Sequence, residues 1–118
     1  MIRALLPILI LSAVSGAATL TVLNGTRGWV LTGVYVRVSG SDGQWGDNLL
    51  GEGGIIGLTG RWSTRLDAGV YDIRVEDTDG DGYVRRSVAM ENDFLWKVTL
   101  SDMNDPATAT DANYGWSG

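Results

Sequence analysis

The sequence predicts an all-β fold: a single antiparallel β-sandwich of about seven strands, immunoglobulin-like or a related Greek key. Three observations carry that expectation. Apolar and polar residues alternate in several runs, as in Tyr71, Ile73 and Val75 against Asp72, Arg74 and Glu76. Glycine and aspartate or asparagine punctuate those runs at Asn24-Gly25, Asp67-Ala68-Gly69 and Asp79-Gly80-Asp81. No segment has the periodicity of an amphipathic helix.

The chain opens with Arg3, an apolar stretch to Val14, and the small residues Ser15-Gly16-Ala17-Ala18. That order is a signal peptide's, with cleavage expected after Ala17 or Ala18. The apolar stretch is short for a bilayer span and contains Pro7, which favours cleavage over anchoring. The expected organisation is a signal at 1–18, a β-sandwich at 19–103 and a polar tail at 104–118, giving an exported, periplasmic or extracellular protein.

The first strand is expected from Thr19 to Asn24, closing on the Asn24-Gly25 turn; Asn24-Gly25-Thr26 is also a glycosylation sequon. The second spans Trp29 to Val38, with Val30, Thr32, Val34, Val36 and Val38 sharing a face. A long glycine-rich connection, Ser39 to Gly51, carries Trp45 between Asp42 and Asp47. Trp45 there is either a ligand platform or, as aromatics are more often used, a plug in the core's edge beside Leu49 and Leu50. The third piece is Ile55-Ile56-Gly57-Leu58, the fourth Arg61 to Leu66, the fifth Val70 to Glu76. The sixth, Tyr83 to Met90, turns Val84, Val88 and Met90 inward with Arg86 interrupting that face. The seventh, Phe94 to Ser101, sets Phe94, Trp96, Val98 and Leu100 against Leu95, Lys97 and Thr99. The expected core is Val34, Val36, Tyr71, Ile73, Val75, Val88, Trp96 and Val98.

Composition excludes much chemistry. With 118 residues there is room for one domain. The net charge of −5 becomes −6 once Arg3 leaves with the signal, a poor match for nucleic acid or an anionic membrane. With no Cys and no His, disulfides, lipid anchoring through cysteine, Ser-His-Asp triads and the usual zinc, copper or haem sites are all ruled out. Lys97, the only lysine, lies in an expected strand. Paired-carboxylate glycosidase chemistry needs only acids, of which there are 14, but most fall in turns of a domain too small to build an ordinary cleft.

One stretch carries a specific signal. Asp77, Asp79 and Asp81 followed by Gly82 reproduce the first half of a calcium loop. Alternate carboxylates on a tight turn suit a hard cation that takes oxygen ligands. The position of the bidentate glutamate of an EF-hand is Val88, and the flanks read as strands, so an EF-hand is excluded. What remains is a calcium-binding hairpin or a turn that uses Asp and Gly for their turn chemistry alone. Glu76, backbone carbonyls, or Asp42 and Asp47 can complete an ion's shell. If 55–58 is a strand, the long loop and the hairpin lie at opposite ends of the sandwich; if it is a crossing, they share an end.

Several pieces together resemble a family of small exported bacterial proteins of uncharacterised function. They are Asn24-x-Thr26, Val34-Tyr35-Val36, Ser39-Gly40-Ser41-Asp42-x-x-Trp45-Gly46-x-x-Leu49-Leu50-Gly51, Gly69-x-Tyr71-Asp72-x-Arg74, Glu76-Asp77-x-Asp79-Gly80-Asp81 and Tyr83-x-Arg85. The resemblance spans residues 20 to 100 and implies export and a small β domain, with no reaction attached. The expected function is therefore a non-enzymatic structural or interaction module, calcium-stabilised through Asp77, Asp79 and Asp81, with a protein or glycan partner. The alternatives are a carbohydrate- or peptide-binding module using Trp29, Trp45 or Trp62, and a glycosidase centred on Asp42 and Asp47.

Overall fold

A computed structural model describes residues 16–41 and 43–107. Seven strands run in order: β1 (Ala17–Asn24), β2 (Leu31–Val38), β3 (Arg61–Asp67), β4 (Val70–Asp77), β5 (Gly82–Ala89), β6 (Phe94–Val98) and β7 (Met103–Asp105), with a single 3-10 turn at Leu100–Asp102. They form two packed sheets, ordered β3-β1-β6 and β2-β4-β5-β7. The all-β sandwich is as expected. Every ladder is antiparallel except β1 against β6, which is parallel.

The membership of the strand set differs from expectation. The segment around Ile56 contributes one bridge, to Leu31, and is a crossing. The seventh strand is instead Met103–Asp105, which pairs with β5 inside what reads as the start of a loose tail. Residues 108–118 of that tail lie outside the described residues, as does the signal up to residue 15. β1 begins at Ala17, ahead of Thr19, and Ala18 is buried.

Alternation buries Leu20 and Val22 of β1, Ile73 and Val75 of β4, and Trp96 and Val98 of β6 between the sheets. Val34 and Val88 join them, whereas Val36 and Tyr71 are only partly buried. Leu31, Ile56, Tyr83 and Met90 complete a core larger than the expected one. Leu100 begins the 3-10 turn and is exposed.

β5 does not keep one face. Tyr71 pairs with Val88 but Ile73 pairs with Arg85, so β5 carries an extra residue there. Ser87 sits in the bulge with φ +57°, and its N–H donates to Asp72 Oδ1 at 3.0 Å. Arg37 Nε binds the other oxygen at 3.2 Å, and Arg86 lies 3.6 Å from it. The Ser87 amide, with help from Arg37, outweighs burial and holds the Asp72 carboxyl below its ordinary range. The bulge reverses the first half of the strand: Tyr83 points into the core and Val84 does not, while Arg86 is exposed.

The long connection leaves β2 at the end away from the acidic hairpin, where the Ser39 N–H donates to Val70 O. It then climbs the free edge of β2. Asn48 Oδ1 accepts the N–H groups of Val34 and Leu50, Asn48 Nδ2 donates to Thr32 O, and Leu49 N donates to Val34 O. A side-chain amide and one backbone pair thus cover part of an exposed edge. Truncation of Ile73 to Ala is expected to cost about 2–5 kcal/mol in a denaturant titration. A loss under about half a kcal/mol would contradict its place between the sheets.

Candidate metal centre

The β4–β5 hairpin brings Asp77, Asp79 and Asp81 together, with one carboxylate oxygen from each within 4.8 Å of the others. The turn is closed by Gly80 N to Asp77 O at 2.9 Å and by Asp77 N to Asp81 O at 3.0 Å. Gly80 takes φ +83°, which is costly for any residue with a side chain. Gly82 is glycine for another reason: a Cβ there would run into the Arg74 guanidinium.

The three carboxylates are in different situations. Asp77 is buried, Asp81 half-buried and Asp79 exposed. Asp77 Oδ1 accepts the N–H groups of Asp79 at 2.9 Å and Asp81 at 3.1 Å, and Oδ2 accepts the Tyr83 hydroxyl at 2.7 Å. Tyr83 is itself fully buried; burial first, then the hydrogen bond to Asp77, raises its phenol far above the ordinary value, so it is a donor at every physiological pH. Asp79 Oδ2 accepts Trp29 Nε1 at 2.8 Å, and Asp81 Oδ1 accepts the Ala107 N–H at 2.8 Å. The hairpin also leans on the preceding segment, through Thr78 N to Val30 O at 3.0 Å.

A cation would meet a partly occupied donor set. Both lone pairs of Asp77 Oδ1 are used, leaving one on Oδ2, the free oxygens of Asp79 and Asp81, and single remaining sites on their bonded oxygens. Three like charges at this spacing repel by about 1 kcal/mol per pair in water, which a divalent ion would remove. Glu76 stands outside the cluster, engaged by Arg74 at 3.2 Å. Asp47 is likewise not brought to it, and Asp42 lies outside the described residues. The segment at 55–58 is a crossing, yet the long loop does not start at the hairpin's end, because it spends its length on the β2 edge.

The tryptophans offered as ligand surfaces are dispersed. Trp29 caps Asp79, Trp62 packs against the core, and Trp45 stacks on Arg37, whose guanidinium carbon is 4.2 Å from the ring centroid. Trp45 therefore covers the outer face of the β2-β4-β5-β7 sheet and does not plug the core, a role that only Leu50 of its loop takes. Asn24 is no glycan acceptor in this fold. It is 1% exposed, and its Nδ2 donates to Trp29 O and Ile56 O.

Sequence spacing found the three aspartates but missed Tyr83 and Trp29 as their partners. Tyr83 was recognisable only by knowing which side of the bulge faces inward, and Trp29 is 50 residues from Asp79. No family model matches the chain, and no curated protein matches it. It is similar to a protein from Eubacterium rectale solved by NMR, at 12% identity and a TM-score of 0.48, over 74% of this chain and 82% of that one.

Replacing Tyr83 with Phe removes one hydroxyl and leaves Asp77 Oδ2 without its donor. The expected loss is about 1–3 kcal/mol, read from denaturant unfolding. Stability within about half a kcal/mol of the parent would show that water replaces the phenol at no cost.

Proposed function

We propose that the mature chain is an exported β-sandwich module with a structural or interaction role and no reaction of its own, stabilised by calcium in the acidic hairpin. The observation that supports this is the convergence of Asp77, Asp79 and Asp81 on one turn, with oxygens left over after the turn's own hydrogen bonds are made. The free oxygens are too few for the ion's usual shell, so backbone carbonyls or water complete it. That places affinity at about 10⁻⁴–10⁻³ M, the range of extracellular modules, and fits an exported protein. Its partner is a protein or a glycan; the acidic balance speaks against nucleic acid and anionic membrane surfaces. The separated positions of Trp29, Trp45 and Trp62 give no shared stacking platform, which disfavours the carbohydrate-binding alternative built on them.

Thermal unfolding tests the ion. At calcium ten times above Kd the gain is about 1.4 kcal/mol, a rise in melting temperature of roughly 5–10 °C over an EGTA-treated sample. Asp79→Ala removes an exposed ligand without opening the core and is expected to abolish that rise. An unchanged melting temperature leaves the hairpin as a turn. Export is read separately, by mass spectrometry of the protein from its native host: the mature chain is expected to start at Ala18 or Thr19, and an intact 1–18 on a cytoplasmic product would contradict it.

A further inference from the structure

The sandwich has an open side where β6 of one sheet faces β5 of the other. Among the described residues β6 is an edge strand, and β7 covers β5 only from Gly82 to Val84. Between them runs a groove of about 500 Å³ whose lining includes Val84, Arg85, Arg86, Trp96, Met103 and Asn104. The groove carries groups that the fold leaves unused. Trp96 is 2% exposed, and its buried Nε1 has no acceptor among the described residues. A buried donor in that state is a standing cost to the fold.

Arg85 is the second unused group. Among the described residues it has no carboxylate partner, and its guanidinium carbon lies 5.5 Å from the Phe94 ring centroid and 5.7 Å from that of Trp96. Asp102, a carboxylate in the groove's lining, accepts the Thr99 N–H at 2.8 Å and forms no ion pair with Arg85. Arg86, the groove's other cation, already lies 3.6 Å from Asp72, so Arg85 is the charge here left without a carboxylate among the described residues.

The two flanking strands are not equivalent. Asn104 clamps β5 by donating Nδ2 to Val84 O and accepting the Val84 N–H on Oδ1, so that residue's backbone is already paired. Among the described residues no strand lies beyond β6 in its sheet, which leaves an edge able to accept another strand.

We propose that this groove docks an extended acidic peptide of a partner protein, which adds as a strand to β6 and sets a carboxylate on Arg85. The inference rests on the interaction-module reading above and uses none of the hairpin's carboxylates. On docking, Arg85 exchanges a cation–π contact for a charge-assisted pair with the peptide carboxylate, which is the stronger interaction. Its movement off the ring uncovers Trp96, whose Nε1 then donates to an oxygen of the peptide. The peptide's alternate side chains turn to the outer face of the β3-β1-β6 sheet.

The test uses the ¹⁵N-labelled mature chain in EGTA, with a short capped peptide alternating valine and glutamate as the probe. Binding is expected to move the assigned Trp96 indole N–H resonance. The same peptide with lysine for glutamate, or interrupted by proline, is expected to leave that resonance in place. Arg85→Gln and Arg85→Glu are expected to weaken binding by roughly tenfold or more at an unchanged melting temperature, with Arg85→Lys in between. The proposal is overturned by a Trp96 resonance that stays fixed at millimolar peptide, or by equal binding of the proline-interrupted peptide. It is also overturned if an anionic oligosaccharide moves the resonance and the peptide does not. A Trp96 resonance that moves when residues 108–118 are deleted would assign the groove to the chain's own tail, which also overturns it. Peptide binding by a protein whose melting temperature ignores calcium would remove the calcium reading and leave this one intact.

Discussion

Asp77 is a charged side chain with 2% of its surface exposed, at the point where β4 ends and the hairpin begins. A carboxylate so placed costs several kcal/mol unless its lone pairs are met. Two amides of its own turn and the Tyr83 hydroxyl meet them. The arrangement couples three levels of structure. It fixes the turn's backbone, it requires Tyr83 to point inward, and Tyr83 in the core then sets which face of β5 is buried before the bulge. The hairpin is therefore shaped by hydrogen bonds within the chain. An ion held there would add to a finished turn and not create it, unlike the small metal-dependent domains that are unfolded without their ion.

A second buried polar side chain does comparable work at the same end of the sandwich. Asn24 accepts the N–H and hydroxyl of Thr26 on Oδ1 and donates to Trp29 O and Ile56 O from Nδ2. Its four hydrogen bonds hold the chain between β1 and β2 against the crossing at Ile56. Trp29, placed by that segment, reaches Asp79, and Val30 O receives the Thr78 N–H. Asn24 and Asp77 thus anchor opposite sides of one packed end, which explains how an end rich in turn residues is ordered without a disulfide. Polar satisfaction substitutes here for covalent stapling.

Where alternation is unbroken, much of the burial is readable from sequence: β1 buries Leu20 and Val22, β4 Ile73 and Val75, and β6 Trp96 and Val98, with Tyr71 and Phe94 partly buried. The reading failed in the first half of β5 because a single inserted residue puts the two halves of the strand out of phase, and the signal for it, Ser87 at positive φ beneath Asp72, is a tertiary contact. It failed at β7 because a three-residue polar strand with an Asn side chain pairing in place of backbone has no periodicity to detect. It failed for the long loop because glycine-rich composition does not say that Asn48 will bind a strand edge. The aspartates of the site were visible because local spacing alone brings them together. Their partners were not, since Trp29 and Ala107 arrive from distant parts of the chain.

The two surfaces differ in what the fold leaves undone. At the hairpin, each aspartate already serves a neighbour, so a metal ion would meet only leftover oxygens. In the groove, among the described residues, Trp96 Nε1 and Arg85 serve no polar partner and the β6 edge borders no further strand. Native folds keep few buried donors unpaired, because each one lowers stability. A pairing that fills such a vacancy recovers that loss, whereas an ion at a satisfied turn would relieve only repulsion among its three carboxylates. On this reasoning the groove holds more unspent interaction energy than the hairpin, although the hairpin has the more conspicuous sequence.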